Sequence, residues 1–457
     1  MAYDTAAANT RKRHRIQGTA LRLAVDCLQE RINAAGPDRH PTDPGIPVLA
    51  YLVADADPAT AAAAVTAWAK SAGRGPSHPA LHEGGLAGTL VGLRLGARLH
   101  PVLHRAADRL RDHLTAPTPA YRTQEVAFPD YDLICGPSGT LLALCVGATP
   151  TPSQLGPLIA HLTRLCDGEG LPRLRTGQYE GHPHLAWMQG RINTGMVHGI
   201  AGLITALTAA LRCLGPDQEL TDALTRATHW LARQAYDDDR AIRSWPRAGG
   251  DGPPPAGPTR RQAWCYGTPG VAWALWDEAD ALGDRESADR AAAAFTTLAE
   301  RYDEDFHLSG DTPGDLLGLC HGAAGVLAVT DAFNHHAHLP AAATLKKRLV
   351  HHLETRLPET VDDWPPGLLG GLPGALSALL TAAPGTSRAW LPPASGYADG
   401  PTDPATGRVG GPVDGRADVR LCSMEGGVSE VTSLLAGIGA CPCGEPVVSC
   451  RLLRLPR

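Results

Sequence analysis

Four short stretches of this chain place metal-ligating or proton-carrying side chains just ahead of a glycine. Cys320-His321 runs into Gly322, Cys265-Tyr266 into Gly267, Val197-His198 into Gly199 and Ile134-Cys135 into Gly136. Asp132 stands four residues before Gly136. Thiolate and imidazole are ligands that Zn²⁺ favours, and three protein ligands with an open fourth position mark a catalytic zinc site. Cys265, Cys320 and His321 make such a set. A buried cysteine more often serves as a small hydrophobe, and Cys135 keeps that reading. His198 also reads as a helix-capping or core histidine, and Asp132 as a helix cap. What favours ligation at Cys265 and Cys320 is that both occupy the same point of a repeat.

That repeat is Gly-x-x-Gly followed by an apolar run. It begins at Gly85, Gly136, Gly199, Gly267, Gly322 and Gly371, with steps of 49 to 68 residues. Each copy opens a stretch that reads as a buried helix, such as 203–211. A more polar amphipathic stretch, such as 288–301, separates the copies. One apolar and one amphipathic helix per unit is the pattern of a helical repeat. Such units stack into an open solenoid or close into a ring. A solenoid needs polar caps, and none is legible after residue 393. The expected fold is therefore all-α: an α/α toroid of six to seven helix pairs spanning residues 1–393, with the apolar helices inside. Small glycines at the helix starts would let inner helices approach closely. Stretches 20–31, 47–52 and 58–72 also read as helical and could supply a seventh pair without the glycine signature. Segments 171–195 and 245–262 read as loops, the first long enough for a small insertion. If every glycine pair marks the same end of an inner helix, the residues before it converge on one rim.

Of the 457 residues, 43% are hydrophobic but only 5% aromatic, so Ala, Leu and Val must do most of the packing. A formal net charge of -6 argues against nucleic acid as a main partner. No apolar stretch approaches the ~18 residues of a membrane span. The basic cluster at 11–15 is followed by no apolar run of secretory length, so a cytoplasmic location is expected. In that compartment the eleven cysteines are better read as core thiols or metal ligands than as disulfides. Residues 394–457 do not continue the repeat. They read as a Pro/Gly-rich disordered linker and a Cys/Ser-rich tail with Cys422, Cys441, Cys443 and Cys450. The tail is either an extension without a role, a weak metal site at Cys441 and Cys443, or a fused segment resembling a modified peptide.

The stretch Trp264-Cys265-Tyr266-Gly267-Thr268-Pro269-Gly270, with Cys320-His321-Gly322-Ala323-Ala324-Gly325, resembles the signature of LanC-type lanthionine cyclases. The resemblance covers about residues 80 to 393. It implies an α/α toroid with zinc at its centre, held by Cys265, Cys320 and His321. It also implies an acid/base role for His198, an active-site aspartate at Asp132 and further site residues at Arg261, Trp264 and Tyr266. The implied substrate is a ribosomal peptide with a leader, already carrying dehydroalanine or dehydrobutyrine, to which cysteine thiols add to close thioether rings. The bifunctional synthetases carry a large N-terminal dehydratase segment that is absent here, so a separate dehydratase is an expected partner, with an export transporter a further one. Two other readings use the same residues. One is addition of a small thiol such as glutathione to dehydrated residues. The other is a helical scaffold whose structural zinc takes Cys135 or His198 as a fourth ligand. Fold alone does not decide among them, since toroidal prenyltransferases also activate thiols with zinc.

Overall fold

The computed structural model describes residues 2–34, 43–72, 78–82, 84–116, 121–147, 149–250, 259–360, 364, 367–388 and 390, with side chains from residue 18 onward. The segment 394–457 lies outside the described residues.

Helices α1 (Ala2–Asn33), α2 (Gly45–Val53), α3 (Pro58–Ser71), α4 (Leu86–Gly96), α5 (Leu103–Leu114), α6 (Pro137–Cys145), α7 (Pro152–Leu165) and α8 (Ile200–Leu214) form the first half of the fold. The second half holds α9 (Gln218–Ala232), α10 (Thr268–Leu282), α11 (Arg285–Arg301), α12 (Glu304–His307), α13 (Pro313–Leu317), α14 (Ala323–His336), α15 (Pro340–Arg356) and α16 (Leu372–Thr381). Helices α2, α4, α6, α8, α10, α14 and α16 neighbour one another in that order, and α16 returns to pack on α2. The result is a closed inner ring of seven helices. Each of α3, α5, α7, α9, α11 and α15 packs on the inner helix that precedes it, and α1 packs on α16. The expected α/α toroid is present, with seven pairs. The chain's first helix is thus the outer partner of its last inner helix, and this pairing seals the ring.

Sequence explains which helix lies where. In α8 every residue from Ile200 to Leu211 is buried, as an all-apolar helix requires. In α9 the buried positions Leu220, Ala223, Leu224, Ala227 and Leu231 fall at three- and four-residue spacing, so one stripe faces inward. Three outer helices, α3, α9 and α11, carry side-chain caps: Asp57, Asp217 and Asp284 accept from the backbone N–H groups of Thr60, Leu220 and Ser287. Six inner helices have glycine at that position instead.

The reason lies in the loops ahead of them. These loops are stitched to one another around one end of the ring by backbone hydrogen bonds. Leu81 N–H donates to Ile134 O (3.0 Å), Leu133 N–H to Val197 O (3.1 Å) and Met196 N–H to Cys265 O (2.9 Å). Cys265 N–H then donates to Cys320 O (3.3 Å) and Cys320 N–H to Leu369 O (2.9 Å). Ahead of α2 the Asp43 side chain takes over: its Oδ1 accepts from Leu368 N–H and from Gly45 N–H, both at 2.8 Å. At the remaining junction Pro44 packs against Gly88. The second glycine of each motif lies beneath its own loop. A methyl group at Gly139, Gly202, Gly270, Gly325 or Gly374 would fall on the carbonyl oxygen of Leu133, Met196, Trp264, Leu319 or Leu368 respectively. The glycines therefore admit a loop carbonyl and the preceding loop's side chain, where a helix–helix approach was expected. Segment 171–195 contains short 3-10 turns and a strand, β1 (Ile192–Asn193), paired antiparallel with β2 (Ala248–Gly249).

Gly325→Ala should destabilise the fold by about 1–3 kcal/mol or more, because Leu319 O and the Trp264 side chain leave no room for a methyl group. Gly18→Ala in α1, where a methyl group meets nothing within 4 Å, should instead be neutral or stabilising by up to about 1 kcal/mol. Urea unfolding of the two variants checks the contrast.

Candidate metal centre

Cys265 lies in the loop ahead of α10, and Cys320-His321 lie between α13 and α14. The backbone bond from Cys265 to Cys320 sets the two loops side by side. As a result one ligand atom each of Cys265, Cys320 and His321 lies within 4.8 Å of the other two. Among the described residues no other His, Cys, Asp or Glu joins this group; Cys135 and His198 stand outside it. Cys265 is buried, while Cys320 and His321 are partly open. His321 Nδ1 is hydrogen-bonded to Asp315 Oδ1 at 3.0 Å, which leaves Nε2 as the ring nitrogen for the thiols.

The groups of this cluster bias one another's protonation. Burial opposes a thiolate at Cys265, yet the Cys320 thiol, the His321 imidazolium and the Arg261 guanidinium together hold its pKa well below the usual thiol range. Cys320 is held well above that range, because its proton is shared with Cys265 and because it is buried. Burial also opposes the His321 imidazolium, but the Cys265 thiolate and Asp315 outweigh it and lift the pKa to about 9. The hydrogen bond from His321 helps to hold Asp315 down at about 2. Two thiols and an imidazole, with protons that a cation would displace, form a donor set suited to a divalent, borderline-soft metal ion.

The neighbouring loops carry a second polar pair. His198 Nδ1 is 2.6 Å from Asp132 Oδ2, and Asp132 is fully buried. The other carboxylate oxygen accepts from the backbone N–H groups of Cys135 (2.9 Å) and Gly136 (2.8 Å). The His198 ring stacks on Phe128, with centroids 4.7 Å apart, and Tyr131 donates from its hydroxyl to His198 O (3.0 Å). The imidazole is thus fixed by its carboxylate, its stacking partner and its own carbonyl. The bond from Met196 to Cys265 joins this loop to the thiol loops.

The remaining candidates spread around these two clusters. Arg261 donates to Ser309 O at 2.8 Å and acts electrostatically on Cys265, Cys320 and Asp315. The Tyr266 hydroxyl accepts from Asn193 Nδ2 at 2.8 Å. Trp264 is buried in the core with its side chain against Gly325, and its indole N–H has no hydrogen-bond partner. Cys135 Sγ lies 3.8 Å from Asp132 Oδ2, so this thiol faces the polar pair and is more than a filler. Sequence reasoning missed Asp315, Phe128, Tyr131 and Asn193. One signal for Asp315 was available, because Thr312-Pro-Gly-Asp315 has the spacing of a helix-capping box.

Residues 56–392 match the model of the family described as lanthionine synthetase C-like protein. The chain belongs to that family. The match reaches upstream of the motif-bearing region to include α3. Among solved structures the fold is similar to that of nisin cyclase, at a TM-score of 0.62 and 19% identity, covering 79% of this chain and 92% of that one. No curated protein matches the sequence. No helix among the described residues is long and apolar enough to cross a membrane.

For this lanthionine synthetase C-like chain, elemental analysis is expected to find about one divalent metal ion per molecule. Cys320→Ala should lose it while keeping the helical circular-dichroism spectrum, since Cys320 holds the loop through its backbone.

Proposed function

We propose that this protein is a zinc-dependent lanthipeptide cyclase. It would add cysteine thiols of a dehydrated, leader-bearing peptide to dehydroalanine or dehydrobutyrine and so close lanthionine or methyllanthionine rings. The observation that carries this reading is the pairing of the Cys265-Cys320-His321 group with the His198-Asp132 pair on adjoining loops of one ring end. Membership of the lanthionine synthetase C-like family supports it.

Cys265, Cys320 and His321 would hold the zinc ion. Bound zinc lowers the pKa of a coordinating thiol, making a thiolate available near neutral pH. In the addition the sulfur bonds to the alkene's β-carbon, the carbon–carbon π pair moves to the α-carbon and its carbonyl, and a proton must reach the α-carbon. His198 would supply it. Asp132 Oδ2 lies 2.6 Å from its Nδ1, so on this reading Nδ1 keeps its proton on the carboxylate and Nε2 is the nitrogen that delivers. Arg261, anchored at Ser309 O, supplies positive charge where negative charge develops. Tyr266 and Trp264 line and support the same loop. A separate dehydratase would prepare the peptide, with an export transporter downstream, and the reaction would take place in the cytoplasm.

Ring closure leaves the peptide's mass unchanged, so the test is loss of alkylatable thiol in a dehydrated peptide incubated with the purified chain. His198→Ala is expected to slow that loss about 10²–10⁴-fold with metal content unchanged. Asp132→Asn should slow it in the same direction. Full rates in both variants would refute the assigned proton route. Wild-type protein that consumes no thiol in any dehydrated peptide, but conjugates glutathione to it, would move the activity to small-thiol addition.

A further inference from the structure

The approach to the metal group from α13 is built with more care than a loop requires. Asp315 uses its two oxygens for two different tasks. Oδ1 faces His321 Nδ1 at 3.0 Å. Oδ2 accepts from the Thr312 hydroxyl at 2.8 Å, and Thr312 Oγ1 in turn accepts from Asp315 N–H at 3.2 Å. The carboxylate is therefore locked by its own helix cap before it meets the histidine. The segment is clamped at two further points. Arg261 donates to Ser309 O, and Gly314 lies so close to Gly370 O that a methyl group there would fall on it. A methyl group at Gly310 would strike Asp315 Cβ. Gly310 thus makes room for Asp315 itself, and Gly314 for the neighbouring loop at Gly370. The Asp315 and His321 side chains are 28% and 24% exposed, so the pair is partly withdrawn from bulk water.

We propose that Asp315 is the positioning residue of the metal centre: it accepts the Nδ1 proton of His321, fixes that tautomer and aims Nε2 at the thiols. The inference rests on the metal reading of Cys265, Cys320 and His321, and goes beyond it by assigning a residue outside the ligand set. The physical basis is general. A neutral imidazole binds metal through one nitrogen only if the proton stays on the other, and a carboxylate acceptor there both holds the proton and makes the ligating nitrogen more basic. Charge supports the arrangement. With zinc bound, two thiolates and the Asp315 carboxylate would balance the dication and the Arg261 guanidinium, which would leave the centre neutral. Removing Asp315 would leave it positive and its histidine free to turn.

The test uses the full chain, stripped of metal, with zinc affinity measured by competition against a chromophoric chelator. Asp315→Ala is expected to weaken binding about 10–100-fold. Asp315→Asn, which keeps an oxygen to accept the Nδ1 proton, should recover much of that loss. Melting temperatures of the metal-free proteins serve as the folding control, and the Asn variant keeps the test valid if the Ala variant misfolds. Wild-type affinity in Asp315→Ala would overturn the inference, as would an Asn variant that binds no more tightly than the Ala one. Wild-type protein with no affinity for zinc would overturn the metal centre and this inference together. Normal wild-type binding with an indifferent Asp315 would overturn this inference alone.

Discussion

The chain of backbone hydrogen bonds that links each loop to the next around one end of the ring is the constraint on which the rest depends. A single inter-loop bond contributes only about 1 kcal/mol, but here each bond also fixes the register of the next loop. The peptide groups of Cys265 and Cys320 are themselves links in this chain. The two cysteine side chains therefore leave the backbone from positions that cannot shift independently. Closure matters as much as the links. Asp43 accepts from both the last loop and the first turn of α2, and α1 lies over α16. A ring closed this way has no free end, which is why no polar capping repeat is needed.

That rigidity sets the electrostatic character of the site. Two thiols and an imidazole are held within 4.8 Å of one another in a partly buried setting. The neighbours drive the three groups apart: Cys265 is held well below the usual thiol range, Cys320 well above it, and His321 is lifted to about 9. The Arg261 guanidinium and the Asp315 carboxylate flank this cluster with opposite charges. The same burial that would penalise a lone thiolate here intensifies its attraction to the neighbouring cations. The protons on such a cluster are the ones that a bound dication would displace.

Much of this was legible in the sequence, for a physical reason. Six of the seven inner helices begin under a loop carbonyl that tolerates no side chain, so glycine must appear there, and it appears at a countable spacing. The motif that marks the fold also marks the rim, which allowed Cys265, Cys320, His321, His198 and Asp132 to be placed on adjoining loops from residue order alone. The seventh helix escaped the pattern because Asp43-Pro44 does with a carboxylate what the other loops do with a carbonyl and a glycine. The role of α1 was illegible because its partner α16 lies at the far end of the chain, and no local periodicity encodes such a pairing. Asp315, Phe128 and Asn193 were missed because each acts on a residue in another segment through side-chain geometry. Only Asp315 left a local trace, its capping-box spacing from Thr312.

The separation of the two polar clusters follows from the same architecture. A thiol addition needs a proton removed from sulfur and a proton delivered to carbon. If one group did both, it would have to release and recapture within a single encounter. On the proposed reading the tasks are divided. The thiol proton is lost at the Cys265-Cys320-His321 side, whereas delivery falls to His198, whose Nδ1 is tied to Asp132 and whose ring is stacked on Phe128. The link from Met196 to Cys265 (2.9 Å) ties the loop that carries His198 to the loop that carries Cys265. On the same reading, a substrate must present its β-carbon to the sulfur and its α-carbon to His198. Varying the surrounding side chains could change which peptides enter, while the interval between the nucleophile and the proton donor stays fixed by the ring.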